Sequence, residues 1–511
     1  MTTFSPFRRR SLGALLSLAA CLSAANALAL SLPRIFSDNM VLQRELPIKV
    51  WGWADPGQDV TVSFAGTMQS AKTGADGKWT ATLAAQPASA EGRELKAQAG
   101  GSSVSVKNVL VGEVWICSGQ SNMEWTMDVT DDAKDAIAGA NYPLIRQFKV
   151  PHVTHTKPQK DLPGDWSVCS PATAAKFTAV GYHFGLQLHK SLNVPIGLLN
   201  TSWGGTRIEP WTDPKGFEVS AQLKDIVDQI AGADALHVQN QRSRLDQLES
   251  WVKQARKDLD AGKEPTGFPG GMPEHPLIRS DKPTSIYNAM VAPIVSYTIR
   301  GAIWYQGESN NGEGLLYTEK MKALISSWRR LWGQGEFPFL YVQLAPYRYN
   351  KPEALPGIWE AQQAALSIPN TGMAVITDIG NVSDIHPRNK REVGRRLSLW
   401  ALTKTYGKEG LVYSGPLYKS SRVEGNKVVI QFDHADGLKS LDGKPLSWFT
   451  VAGADKRFVP AEARIEGSTV VVSAADVAQP ASARFGWNEL AEPNLANGAG
   501  LPASPFRTDR W

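Results

Sequence analysis

Cysteine is scarce: the 511-residue sequence holds three. One of them, Cys21, lies in an N-terminal apolar stretch. The other two, Cys117 and Cys169, allow at most one bridge, the alternative being two separate buried thiols, so a disulfide-stapled scaffold is excluded. Blocks of five or six like charges are missing as well. The 54 basic residues are spread among 49 acidic ones for a net charge of +5, which offers nucleic acid no binding stripe. The apolar run over residues 12–22 is too short for a spanning helix. Internal repeats, low-complexity tracts and paired His or Cys at metal-ligand spacing are also wanting, so no metal and no cofactor is expected.

What remains is an ordinary globular composition, 42% apolar and 20% charged, in a chain too long for one core; two or three domains are expected. Tryptophan is abundant at 17 residues, either as core or as faces on which sugars stack. The N-terminus reads as an export signal over residues 1–29. Arg8, Arg9 and Arg10 precede the apolar run, and small-residue cleavage sites follow at Ala25-Asn26-Ala27 and Ala27-Leu28-Ala29. The product is expected to be periplasmic or secreted. Leu18-Ala19-Ala20-Cys21 resembles a lipobox, and its use would make Cys21 a membrane tether.

Residues 30–110 alternate apolar and polar, as in Ile48-Lys49-Val50-Trp51-Gly52-Trp53, with turns at Asp55-Pro56-Gly57 and Ala75-Asp76-Gly77-Lys78; a β-sandwich-like region is expected. From 111 to 408 short apolar strands alternate with amphipathic helices, the pattern of a parallel sheet in an α/β fold. Five strands are predicted at 113–117, 195–200, 301–305, 337–344 and 373–379. Helices are predicted at 178–191, 316–332, 356–368 and 389–406, completing three α/β/α layers. An insertion at 215–280 interrupts them. Its Leu245, Leu248, Val252 and Leu259 are spaced as one stripe of an exposed helical hairpin, a lid or a peripheral decoration. Residues 409–511 return to β patterning, either as a unit alone or packed with the N-terminal β region.

Parallel sheets bind ligands beyond the carboxyl ends of their strands, and four predicted strands end in conspicuous polar loops. The first ends in Ser118-Gly119-Gln120-Ser121-Asn122-Met123, where Ser121 would sit on a strand-to-helix turn as a nucleophile or as a helix cap. Met123 excludes the Gly-x-Ser-x-Gly elbow. The second ends in Trp203-Gly204-Gly205-Thr206-Arg207, whose glycines let N–H groups approach an oxyanion and whose Arg207 could hold an acidic group or a structural ion pair. The third carries Trp304, Gln306, Glu308 and Asn310: an amide for the oxyanion, and side chains for sugar hydroxyls. The last leads through Asp378 to Ser383-Asp384-Ile385-His386, a base with a carboxylate two residues before it. Together these make a complete acyl-transfer set.

With these residues in place the sequence resembles the sialate O-acetylesterase family, a branch of the SGNH hydrolases. The likeness runs through Phe36-Ser37-Asp38-Asn39-Met40-Val41-Leu42-Gln43-Arg44, Gly112-Glu113-Val114-Trp115, Gly119-Gln120-Ser121-Asn122-Met123, Ile303-Trp304-Tyr305-Gln306-Gly307-Glu308-Ser309-Asn310, Asp384-Ile385-His386-Pro387 and Leu501-Pro502-Ala503-Ser504-Pro505-Phe506-Arg507. The resemblance implies an SGNH-type (flavodoxin-like) domain and metal-independent hydrolysis of acetyl esters. His386 would take the proton of Ser121, Asp384 would orient His386, and the Ser121 N–H, Gly205 and Gln306 would bind the oxyanion. Asn122, Arg207, Trp304, Glu308 and Asn310 would line the substrate. Two positions depart from the wider pattern: Ser383 stands three residues before the histidine, where the acid is usual, leaving Asp378 or Glu308 as possible helpers, and the usual oxyanion Asn is replaced by Gln306 or Asn310. The substrate expected is an acetylated plant cell-wall glycan such as xyloglucan or xylan oligosaccharides, against O-acetyl sialic acid. Competing readings are a non-catalytic carbohydrate-binding protein and a general lipase or peptidase.

Overall fold

The structure is a computed structural model that describes residues 29–511. The residues read as an export signal, Cys21 included, lie outside the described part. Its organising element is one 18-residue strand, Ser102–Gly119. The first half pairs antiparallel with Ser89–Ala99 in the N-terminal β region. The second half, from Val109 onward, is buried throughout, as a strand covered on both faces must be. It forms the middle of a mostly parallel sheet ordered Thr371–Ala374, Phe339–Val342, Gly301–Tyr305, Ser102–Gly119, Ile196–Ser202, Ile145–Lys149 and Trp166–Val168, with only the last running antiparallel. The molecule is thus a mixed α/β protein with added β-rich regions.

Two features differ from expectation. Ile145–Lys149 is a sixth parallel strand; Arg146 and Gln147 disguise it in the sequence, yet both are buried, Arg146 donating to the carbonyl and side chain of Asn108. The insertion is not a hairpin but a single helix, Lys224–Asp260, about 55 Å long at 1.5 Å per residue. No proline breaks its 37 residues, and its return, 261–280, is non-helical. Leu245, Val252 and Leu259 of its stripe are exposed. Its N-terminal end is anchored in a small apolar cluster of Phe217, Leu223, Ile226 and Ala323, and farther along it bonds its own return, Asp234 to His275 and Trp251 to the Thr266 carbonyl.

The N-terminal β region shares one hydrophobic core with the α/β part, from Val41 and Trp51 through Trp115 to Trp400. The C-terminal β strands have their own core around Val428, Ile430, Val470 and Phe485. Contacts to the α/β part include Arg507 on Glu360 and Gln343 on Ser504, both hydrogen-bonded. Cys117 and Cys169 are separate buried thiols, so the bridge is not formed. Burial pushes both upward in pKa, Cys169 to about 11. Among the described residues no helix is long and apolar enough to cross a membrane.

Candidate active site

Strand pairing fixes the turn that carries Ser121. Gly119 pairs with Tyr305, has φ +135°, and would place a Cβ 2.1 Å from the Tyr305 carbonyl, so a side chain is excluded there. Gln120 leaves the strand and Ser121 opens the short helix Ser121–Glu124. From the opposite loop His386 reaches over: its Nε2 is 2.9 Å from Ser121 Oγ. The imidazole stacks on Trp125, 4.7 Å between centroids at 17°. Asp384 accepts the backbone N–H of His386 at 3.0 Å, and its Oδ1 is 3.7 Å from Nδ1, an ion-pair distance rather than a hydrogen bond. Asp378 is not available to help, because Arg396 holds it with two bonds of 2.6 Å.

The Gly204-Gly205 turn lies against Ser121. A Cβ on Gly204 would meet Ser121 Cβ at 3.2 Å, while Gly205, at φ +75°, has open space around it. Glu124 ties this turn down: it accepts the Gly204 N–H at 2.7 Å and pairs with His152 at 2.7 Å. His152 in turn stacks flat on Trp203 at 4.4 Å. Among the described residues neither the Ser121 nor the Gly205 N–H donates to a protein acceptor.

Other expected residues sit elsewhere than at the substrate face. Gln306 is buried, its amide nitrogen already facing Asn310 Oδ1 at 2.8 Å, Gln120 at 3.1 Å and the Thr206 carbonyl at 3.2 Å, so it holds no donor free for an oxyanion. Trp304 is 1% exposed between Trp211 and Trp328, a core ring that no sugar reaches. Asn310 is buried and saturated: it accepts from Gln306 and the Ile208 N–H and donates to Glu209 and Glu313. Asn122 and Glu308 are buried too, in a network beneath Ser121 and His386. Asn122 donates to Glu308 at 2.5 Å and to the Ile385 carbonyl at 3.0 Å, and accepts from Lys390. Polarity along a loop does not reveal which of its groups face inward, so sequence alone assigns these residues to the substrate face.

Arg207 is half-exposed but fully matched. It donates to Glu209 at 3.0 Å, to the Ser309 carbonyl at 3.1 Å and to Glu313, while Lys320 bonds the same two carboxylates at 2.7 Å each. Burial alone would push Glu209 up, but Lys320 and Arg207 hold its carboxyl down at about 2.

Electrostatically the surroundings favour the neutral form of His386. Burial first, and then the Lys390 charge, hold His386 below its ordinary value against the pull of Asp384. Lys390 is itself pushed down to about 7 by burial, against Glu308 and Asp384, and burial pushes Glu308 up despite its Asn122 bond. Sequence reasoning missed Lys390, Glu124, His152, Trp125 and Trp203. The aromatic residues adjoining each glycine or serine motif were the available signal.

A serine hydroxyl bonded to an imidazole whose pKa is held down, beside a glycine turn, can perform acyl transfer. The family model described as carbohydrate esterase, sialic acid-specific acetylesterase matches residues 111–265 and 276–401. The chain belongs to this family. The esterase is 32% identical over 426 residues to sialate O-acetylesterase of Rattus norvegicus, covering 75% of each chain. It is 28% identical over 440 residues to that of Homo sapiens, covering 78% of this chain and 75% of the relative. Among solved structures a carbohydrate acetylesterase from Xanthomonas citri superposes with a TM-score of 0.80 at 38% identity, over 94% of the esterase and 100% of that chain. The esterase is accordingly a carbohydrate O-acetylesterase, a hydrolase of carboxylic esters.

Proposed function

We propose that this protein is an exported serine esterase of SGNH type, its central sheet the middle of three α/β/α layers, which removes acetyl groups from neutral plant cell-wall glycans through an acetyl-Ser121 intermediate. The observation that carries the mechanism is the 2.9 Å contact between Ser121 Oγ and His386 Nε2. As Ser121 Oγ attacks the ester carbon, His386 takes its proton. The carbonyl oxygen becomes an oxyanion held by the Ser121 and Gly205 N–H groups, and Asp384 supports the imidazolium. His386 then returns the proton to the departing sugar oxygen as the ester C–O bond breaks. Water, deprotonated by His386, attacks the acetyl-serine and releases acetate and the free serine.

Preference for a neutral glycan over O-acetyl sialic acid is supported by Arg207. It is the cation expected beside the site, and Glu209 and Glu313 already neutralise it. The stacked pairs Trp125–His386 and Trp203–His152 add aromatic surface on either side of Ser121. Acetate release from acetylated xyloglucan and xylan oligosaccharides and from O-acetyl sialic acid, by wild type and Ser121→Ala, tests this reading. The expected outcome is faster release from the oligosaccharides and a loss of roughly 10⁴-fold or more in the variant. Full activity in Ser121→Ala would remove the nucleophile assignment, and preference for the sialic acid ester would reverse the substrate.

A further inference from the structure

Beyond the reacting groups, the fold holds a cavity of about 380 Å³ that no step of the reaction uses. It begins at Arg207, three residues past the Gly204 that touches Ser121, which bounds the Cα separation at about 11 Å. A chain of contacts links it to the site: the Gln120 amide, next to the nucleophile, lies 3.3 Å from the Ser309 backbone nitrogen, and the Ser309 carbonyl accepts from Arg207. The opposite wall comes from the two ends of the insertion, Asp225, Ile226 and Gln229 from the start of the long helix and Asp281, Lys282 and Pro283 from the returning segment.

We infer that this cavity is a binding subsite for a neutral sugar unit of the glycan chain, next to the unit whose acetyl group is removed. The inference rests on the neutral-glycan reading above and deepens it. Three observations support it. The walls are mixed in the way a pyranose requires: Leu223, Leu316 and Pro283 offer apolar surface for ring C–H faces, and Gln229, Asp225 and Lys282 offer donors and acceptors for hydroxyls. Its floor is rigid before any ligand arrives, because the Arg207 guanidinium is clamped by Glu209, Glu313 and the Ser309 carbonyl, with Lys320 beneath. Its charge is wrong for an acidic sugar: of the lining side chains, the three cations Arg207, Lys282 and Lys320 meet four carboxylates, Glu209, Asp225, Asp281 and Glu313. A carboxylate-bearing sugar would enter against a net negative lining.

The inference also gives the insertion a purpose. Its helix is anchored in an apolar cluster at the end that walls the cavity, by Phe217, Leu223, Ile226 and Ala323, while farther along it bonds its own returning segment, as Trp251 does the Thr266 carbonyl. A longer glycan would touch the insertion where a single acetylated sugar does not.

Gln229→Trp tests this, since position 229 is exposed on the helix and a large ring there fills the cavity without disturbing the core. Asp225→Ala, also exposed, removes one polar group while leaving the space open. Initial rates would be compared on a small chromogenic acetate, an acetylated xylose monosaccharide and acetylated xylo-oligosaccharides of increasing length. Both variants should cleave the chromogenic acetate and the monosaccharide within about twofold of wild type. In each, kcat/KM on the longer oligosaccharides should fall, by at least about tenfold in Gln229→Trp, mainly through KM. If wild type gains nothing from oligosaccharide length, the neutral-glycan reading fails and takes the subsite with it. If wild type gains from length and Gln229→Trp keeps that gain, the subsite alone is overturned.

Discussion

The imidazole of His386 touches three different influences at once: the serine hydroxyl, the Trp125 face and, through space, the Lys390 ammonium. The base form is the neutral one, so activity is complete above the His386 pKa and is lost as pH falls through it. Burial and Lys390 place that pKa below the ordinary histidine value, which extends activity toward acid. Over the acid limb Lys390 is charged, because its own pKa is about 7. Lys390→Met removes that charge, so the acid limb of kcat/KM should move to higher pH; a limb that stays put would show that burial alone sets it. At this scale the residues proposed to react are legible in the sequence. Ser121, His386 and the Gly204-Gly205 pair are recognisable because their residue types follow predicted strands. The buried places of Trp304, Asn310, Asn122 and Glu308 are not, since a polar loop that folds back beneath a site spells the same as one that lines it. Lys390 reads as an ordinary charge at a helix start, and only its burial under Trp125 and Tyr305 distinguishes it.

Among elements, the strand–turn–helix at 102–124 sets the tolerance of the site. Gly119 sits at φ +135° with the Tyr305 carbonyl where a side chain would go. In Gly119→Ala either that carbonyl or the turn must shift, and a displacement near 1 Å in Ser121 is enough to cost about 100-fold in turnover. The expected result is a large fall in kcat with a smaller loss of thermal stability; unchanged kcat would mean the turn can relax away from Tyr305. Most helices and parallel strands are readable, because a 3.6-residue stripe and a short apolar run are strong signals. Ile145–Lys149 escapes notice because its buried arginine finds its partners 38 residues away, at Asn108. The long insertion helix reads as two when an exposed stripe is taken to need a second helix to cover it, and its exposed Leu245 and Leu259 have none.

Across the whole molecule, the β-rich regions relate to the α/β part in opposite ways. The C-terminal strands keep their own core and meet their neighbour through polar contacts such as Arg507 with Glu360 and Arg484 with Glu353. The N-terminal strands merge into the central core, and the residue 110–111 boundary drawn from composition falls inside a single strand. Composition changes there because the strand passes from a half-exposed sheet to a buried one, not because the chain crosses a linker. A chain begun at residue 111 should therefore be insoluble or molten. It would lose the partners Val41–Gln43 and Ser89–Ala99 and leave the buried Glu113 without Gln43 and Arg44. Circular dichroism and a thermal melt would show this, and a cooperative melt close to that of the full chain would refute it.

That shared strand has a kinetic side as well. Below the exposed bulge at Lys107 and Asn108, its amide hydrogens are buried in the central sheet and exchange only when that sheet opens, so protection from deuterium should run without a step from Val109 to Cys117. The turn that carries Ser121 follows directly on this buried half, and the serine should keep its position through fluctuations that loosen the loops around it.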